Sequence, residues 1–220
     1  FTNGRIWLAY LIVFLSSACT RVIELIAGRI MAPHIGVSLY TWTSIIGIVL
    51  AGMSVGNYLG GLVADRAPSG RTLGLIFLAA GVSSLGILVL ADVVGNARLP
   101  FSLVPRIVLY TTAIFFLPSL ILGMVSPVVV KLALADLGRT GSTVGAIYAA
   151  STVGSIVGTF LTGFWLISWL GTRTIVWIVG GSLVAIGRAV GDFLRPRRGL
   201  GILAISGLAA VMALWLDHSN

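Results

Sequence analysis

The fold class is decided by residues 72–94, whose sequence is TLGLIFLAAGVSSLGILVLADVV. The run is apolar over nearly its whole length, and its one charged residue, Asp92, lies close to its end. A membrane-spanning helix needs about 20 consecutive apolar residues, because the hydrocarbon core is about 30 Å thick and each helical residue adds about 1.5 Å. Residues 72–94 therefore predict one transmembrane helix.

The same pattern recurs on both sides of this run and predicts seven spans. They cover residues 6–30, 40–64, 72–94, 107–130, 144–169, 175–193 and 200–216. The first span is expected to end before Pro33, and the seventh is short for the membrane core. Backbone groups cannot remain unpaired in hydrocarbon, so each span must be a helix. We therefore predict an all-α, multi-pass membrane bundle that forms a single transmembrane domain over residues 1–220.

The composition supports a lipid environment and indicates no catalytic chemistry. The chain is 58% hydrophobic and 9% charged, with a mean hydropathy of +1.09, whereas a soluble domain is typically about 25% charged. Nucleotide-binding, zinc-protease and serine-hydrolase motifs are all absent from the sequence. The single cysteine, Cys19, excludes an intrachain disulfide and a cysteine-based metal cluster. We expect no catalytic residue, no metal and no cofactor in this chain.

The basic residues predict the orientation. The net charge is +8, but these residues lie in short segments between apolar runs, which is typical of membrane topology and does not indicate nucleic acid as a partner. Nine lie on the side of the N-terminus: Arg5, Arg66, Arg71, Lys131, Arg139, Arg188, Arg195, Arg197 and Arg198. The other side has Arg29, Arg98, Arg106 and Arg173. The N-terminus is therefore predicted to be cytoplasmic, and the cluster at 195–198 is expected to contact anionic lipid.

An internal repeat is indicated by segments with similar breakers. Gly28 and Pro33 end the first span much as Gly123 and Pro127 interrupt the fourth. Residues 6–94 would form the first repeat and residues 107–193 the second, with 200–216 as an additional helix. Because each repeat holds three spans, the two would be inverted in the membrane, as in many transporters.

Two ladders of small residues are predicted to pack helices together. Each ladder has a spacing of four residues, which places its members on one helix face: Gly52, Gly56 and Gly60 in the second span, and Ala150, Gly154 and Gly158 in the fifth. Small residues let backbones approach closely, and helix association in lipid depends on that packing. We interpret both ladders as structural.

The most informative candidate for a site is the pair Arg21 and Glu24 in the first span. Ionisable groups within a membrane are costly and usually face a partner or a cavity. One reading is an ion pair that fixes this helix in the bundle, and the other is a carboxylate that binds a cation or a proton. Tyr40 and Trp42 belong either to an interfacial aromatic belt or to the outer mouth of such a site.

The loop after the second span contains Asp65, Arg66, Gly70 and Arg71. Asp65 could accept hydrogen bonds at the N-terminus of the next helix, where the helix dipole favours an anion. The two arginines could reach the loop that follows the fourth span or lipid phosphates, or serve only to set topology.

Three segments carry a family resemblance: residues 24–33 (ELIAGRIMAP), 36–44 (GVSLYTWTS) and 52–66 (GMSVGNYLGGLVADR). They resemble the N-terminal membrane domain of bacterial spermidine-synthase-like proteins, in which half a major facilitator is fused to a spermidine synthase domain. Residues 146–154 agree with the same pattern. The loop with Asp65, Arg66, Gly70 and Arg71 is similar to the gating signature of major facilitators, with two more residues between its two halves.

The resemblance implies a place in the bacterial inner membrane and a fold of half a major facilitator plus one helix. In the family, a soluble domain that uses decarboxylated S-adenosylmethionine would follow the last helix. The leading functional hypothesis is transport or handling of small cationic amines, or anchoring of a partner enzyme; transport would need a homodimer. The alternative is a non-catalytic structural subunit of a larger membrane complex.

Overall fold

The computed structural model describes residues 3–96, 100–134 and 140–192. Within these residues the chain is helical and has no strand, and six helices are long and apolar enough to cross a membrane. We number them α1 to α6: Asn3–Ile35, Leu39–Arg66, Gly70–Gly95, Leu103–Ala133, Thr140–Trp169 and Thr172–Asp192. The predicted seventh span, 200–216, lies outside the described residues.

Helix α1 continues past the point where the sequence predicts its end. Pro33 lies in the last turn, and the helix ends at Ile35. A proline near a helix end removes only one hydrogen bond, so it does not stop the helix there. The end is set by Gly36, whose φ of +73° is favoured by glycine and whose N–H donates to the Ala32 carbonyl at 3.0 Å.

Helices α4 and α5 each contain one irregular turn. In α4 the segments Leu103–Gly123 and Val125–Ala133 are separated at Met124. Pro127 explains the break, since it cannot donate to the Gly123 carbonyl and its ring crowds that group. In α5 a π-helical turn, Thr162–Leu166, follows Thr140–Leu161. Such turns accommodate one additional residue without ending the helix.

The six helices pack mainly as three pairs, α1 with α5, α2 with α4, and α3 with α6. Glycines form the contact in each pair, and those of α2 and α5 belong to the two ladders described in the sequence. In α2, a Cβ added at Gly52 would lie 2.9 Å from the carbonyl oxygen of Phe116 in α4, and Gly60 packs against Met124. Residue numbers at the contacts rise together along both helices, so α2 and α4 are parallel.

The pair of α1 and α5 repeats this geometry. Gly154 packs against the carbonyl group of Phe14, and a Cβ at Gly158 would lie 2.7 Å from the carbonyl oxygen of Ala18. These helices are also parallel. Ala150, the third member of the predicted ladder in α5, is partly buried.

Helices α3 and α6 pack in opposite directions through glycines that the sequence analysis missed. Gly74 contacts Gly187 and Gly191, while Gly81 contacts Gly180. Gly74 and Gly81 are seven residues apart in α3, as are Gly180 and Gly187 in α6, which places the members of each pair two turns apart on the same face. Close backbone packing therefore holds all three pairs.

The surface of the described bundle is apolar, as expected for a protein solvated by lipid. The exposed side chains include Leu75, Val82, Val89, Leu117 and Ile156. Helices α2 and α5 bury the least: 28% and 17% of their most apolar stretches, against 39–50% in the other four. Together with the lengths of the helices, this surface indicates a multi-pass membrane protein.

Candidate functional site

Of the two interpretations of Arg21 and Glu24 that the sequence leaves open, the structure contains the ion pair. Arg21 donates a hydrogen bond through Nη1 to Oε2 of Glu24, three residues further along α1. The Glu24 residue is buried, with 8% exposure, whereas the Arg21 side chain is 34% exposed. Glu24 lies about 16 Å from the end of α1 at Ile35, counting 1.5 Å per residue. A carboxylate thus lies inside the span, with its charge balanced by a neighbour that reaches a surface.

The pair belongs to a polar stripe along α1. Ser17, Arg21, Glu24 and Gly28 follow one another at spacings of four, three and four residues, so they lie on one face of the helix. The Ser17 and Ser151 hydroxyl oxygens are 2.7 Å apart and link this face to α5. Neither serine was predicted as part of a site; the signal in the sequence is their position, since Ser17 is one turn from Arg21 and Ser151 follows Ala150 of the ladder in α5.

Trp42 of α2 contacts the end of this stripe at Gly28. Its ring lies against Gly28, where an added Cβ would come within 2.9 Å of the indole. Gly28 is one turn from Glu24 along α1. Tyr40 does not share this position, because its side chain is exposed at the start of α2. Of the four predicted binding residues, Arg21 and Glu24 are in contact, and Trp42 lies against α1 at Gly28.

Two arginines form contacts between helices at the helix ends opposite the N-terminus. Arg29 donates to the carbonyl oxygen of Ile167 at 3.3 Å, where α5 ends and its last carbonyls lack partners within the helix. Arg173, at the start of α6, is 3.4 Å from Asp92 at the end of α3. These interactions join α1 to α5 and α3 to α6 on the side opposite the N-terminus.

On the side of the N-terminus, Asp65 forms an ion pair with Lys131 of α4, with 2.8 Å between Oδ1 and Nζ. It therefore does not cap α3 as expected from the sequence. Ser69 has that role, because its hydroxyl accepts from the Thr72 N–H at 3.1 Å. The position of Asp65 is explained by Gly60, five residues earlier, which packs against Met124 and brings the end of α2 beside α4.

The other residues of the predicted loop signature lie at or near the surface. Arg66 and Arg71 are exposed, and Gly70 is the first residue of α3. The ion pair of Asp65 and Lys131 is also well exposed, at 70% and 47% of the two side chains. Exposed ion pairs contribute at most about 1 kcal/mol to stability. The contact therefore contributes little to the stability of the bundle.

The carboxylate of Glu24 has two oxygens that accept hydrogen bonds, and Arg21 donates to one of them, Oε2. Within residues 3–96, 100–134 and 140–192, no group of three or more His, Cys, Asp or Glu side chains lies close enough to hold a metal ion. The stripe on α1 thus offers one carboxylate and one guanidinium, and Trp42 of α2 adds an aromatic ring at Gly28.

Comparison with known proteins gives a partial similarity. Polyamine aminopropyltransferase 1 and polyamine aminopropyltransferase 2, both from Ralstonia nicotianae, are 32% identical to this chain over 128 residues. The match covers 57% of this chain but only 23% of each relative. No family model matches the chain, and no solved structure matches it.

Proposed function

We propose that this chain is a membrane domain that serves polyamine metabolism and binds small cationic amines at Glu24. The observation that carries the proposal is the burial of Glu24 inside a span, because a carboxylate is retained in hydrocarbon only with a partner or a ligand. The partial similarity to two polyamine aminopropyltransferases supports a cationic amine as that ligand.

Binding would proceed by exchange of one cation for another. The guanidinium of Arg21 is one-third exposed, so it can move towards the surface while a primary ammonium group takes its place on Glu24. The site then stays neutral at every stage, which avoids an uncompensated charge in a low-dielectric region. Trp42, one turn away, offers an aromatic face to the amine, since ammonium groups are attracted to indole rings.

The test is binding of radiolabelled spermidine to the purified chain in lipid nanodiscs. We expect saturable binding by the native protein and its loss in Glu24→Gln, which keeps the side-chain shape and removes the charge. Asp65→Asn is the matched control, since it removes an exposed carboxylate near the end of a span. Equal binding by the native protein and Glu24→Gln would refute the proposal.

We further infer that the six helices form two related halves, α1–α3 and α4–α6. The support is the pairing of the helices: exchanging the halves turns the α1–α5 contact into the α4–α2 contact and leaves α3–α6 unchanged. The glycine contacts follow the same rule, because Gly56 meets Leu120 in α4 as Gly154 meets Phe14 in α1. Halves of three spans are inverted relative to each other, which is the arrangement of half a major facilitator.

A half of this kind encloses no complete pathway, so transport would require a second copy. The surface that we assign to this role is formed by α2 and α5, the two least buried helices. We place the N-terminus in the cytoplasm of a bacterial cell, following the excess of basic residues on its side. A soluble synthase domain or partner enzyme would then be held at the membrane by this domain.

The alternative is a structural subunit without a ligand. It is favoured because both carboxylates already have a cationic partner: Glu24 is paired with Arg21, and Asp65 is paired with Lys131. In that case α2 and α5 would contact the helices of a larger assembly. Purification under mild conditions separates the two: an isolated homodimer supports transport, and a large complex of fixed stoichiometry supports the structural role.

A further inference from the structure

A groove lies on the outer surface of the α3–α6 pair, on the side opposite the N-terminus. It has a volume of about 360 Å³. Its walls are apolar and are formed by Leu85, Gly86, Leu88, Val89 and Trp177. The space at Gly86 is open, because a Cβ added there would meet no atom within 4 Å, whereas Gly81 on the same helix is in tight contact with α6.

Two opposite charges lie at the mouth of the groove. Asp92 and Arg173 both line it, and their closest atoms, Oδ2 and Nη2, are 3.4 Å apart. The two side chains are 64% and 70% exposed, so both keep hydrogen-bonding capacity for another molecule. They lie at the end of α3 and the start of α6, where a spanning helix meets the lipid headgroups.

We propose that this groove binds a phospholipid with a zwitterionic headgroup that carries a primary ammonium. One acyl chain would lie along the apolar walls, its phosphate would accept hydrogen bonds from Arg173, and its ammonium would donate to Asp92. Trp177 is half exposed, and an indole at this depth is typical of contact with the headgroup region.

Charge complementarity selects this ligand over an anionic lipid. Asp92 and Arg173 together carry no net charge, and they present one negative and one positive group, which matches the two charges of a zwitterion. An anionic headgroup such as phosphatidylglycerol would satisfy Arg173 but would leave Asp92 beside a second negative group without a cation. The inference does not depend on the proposed binding of amines at Glu24, which lies on a different helix.

Native mass spectrometry of the delipidated protein tests this site. The protein is titrated with phosphatidylethanolamine and with phosphatidylglycerol of the same acyl chains. We expect the native protein to bind phosphatidylethanolamine about tenfold more tightly, the difference typical of one additional charge-assisted hydrogen bond. Equal binding of the two lipids, or tighter binding of phosphatidylglycerol, would overturn the proposal.

Three variants assign the effect to the groove. Gly86→Leu fills it without meeting other atoms near the Cβ, and should weaken the binding of both lipids. Asp92→Asn should abolish the preference while retaining phosphatidylglycerol binding. Arg173→Ala changes an exposed side chain, so the variant should fold normally and bind both lipids about tenfold more weakly.

The matched control is Gly47→Leu, at a glycine of α2 that also faces open space. It adds the same side chain to a span but lies outside the groove, so native lipid binding is expected. If Gly86→Leu and Gly47→Leu behave alike, the groove is not the binding site and the proposal fails.

Discussion

Gly56 of α2 lies directly against Leu120 of α4, so that even a methyl group on Gly56 would overlap the Leu120 carbonyl group. The same relation joins Gly154 of α5 to Phe14 of α1. In both cases the obstacle is backbone, which cannot move aside as a flexible side chain would. The two contacts therefore require glycine for the distance between helices, and not for an unusual backbone angle.

Gly56→Ala is expected to destabilise the folded protein by about 1–3 kcal/mol, the usual cost of forcing additional volume into a packed contact. Gly154→Ala should have a similar effect. The measurement is the midpoint of unfolding in detergent. Gly47→Ala is the control, because its Cβ would meet no other atom and alanine also favours the helix. A Gly56→Ala protein as stable as Gly47→Ala would contradict the close contact.

The sequence predicted these ladders but not what they contact. A spacing of four residues fixes which residues share a face, whereas the partner helix depends on the arrangement of the whole bundle. The glycine contacts of α3 and α6 were not predicted because Gly74 and Gly81, like Gly180 and Gly187, are seven residues apart. Gly191 is only four residues from Gly187 but lies near the end of the predicted span. The ion pair of Asp65 and Lys131 was missed for a related reason, since 66 residues separate its members.

The spans themselves could be predicted because hydropathy and length are local properties. All six described helices overlap predicted spans, and their ends differ by a few residues. The end of α1 was predicted too early because Pro33 was read as a terminator, although Gly36 ends the helix. The π-helical turn in α5 had no local signal that the sequence analysis could use. For the site, spacing along α1 was sufficient to pair Arg21 with Glu24.

The two members of this ion pair should respond differently to removal. Arg21→Ala leaves Glu24 buried without its partner, so we expect a loss of stability on the order of 3 kcal/mol at most, given the partial exposure of Arg21. Glu24→Gln leaves an exposed guanidinium that can reach the surface, and should cost less. Arg21→Met combined with Glu24→Met should recover most of the loss, because apolar residues of similar size often replace buried ion pairs.

Thermal unfolding of the four proteins measures this difference. If Arg21→Ala and the double variant are equally destabilised, the buried charge of Glu24 is not the cause. A double variant that is stable yet fails to bind spermidine would separate the structural role of the pair from its role in binding.

The predicted orientation can be tested at the two ends of α3. Arg71 and Asn96 are both exposed and lie at opposite ends of this helix. In a Cys19→Ser background, which removes the one native cysteine, Asn96→Cys should react with a membrane-impermeant maleimide in intact spheroplasts. Arg71→Cys should react only after permeabilisation. The reverse labelling pattern would place the N-terminus outside and contradict the distribution of basic residues.

The proposed second copy predicts a specific cross-link through α2. Asn57 is exposed on this helix, about 13 Å from its end at Arg66 by the helical rise, so its amide would face hydrocarbon in a single copy. An amide within the membrane is stabilised by hydrogen bonds to another helix, and in a symmetric dimer two such amides can bond to each other. Asn57→Cys in the Cys19→Ser background should therefore be cross-linked to a dimer by a short bismaleimide in native membranes.

Val82→Cys is the control, because this apolar, exposed residue of α3 is suited to lipid. Similar cross-linking at both positions would indicate random collision, and its absence at Asn57 would assign the α2–α5 surface to another partner or to lipid.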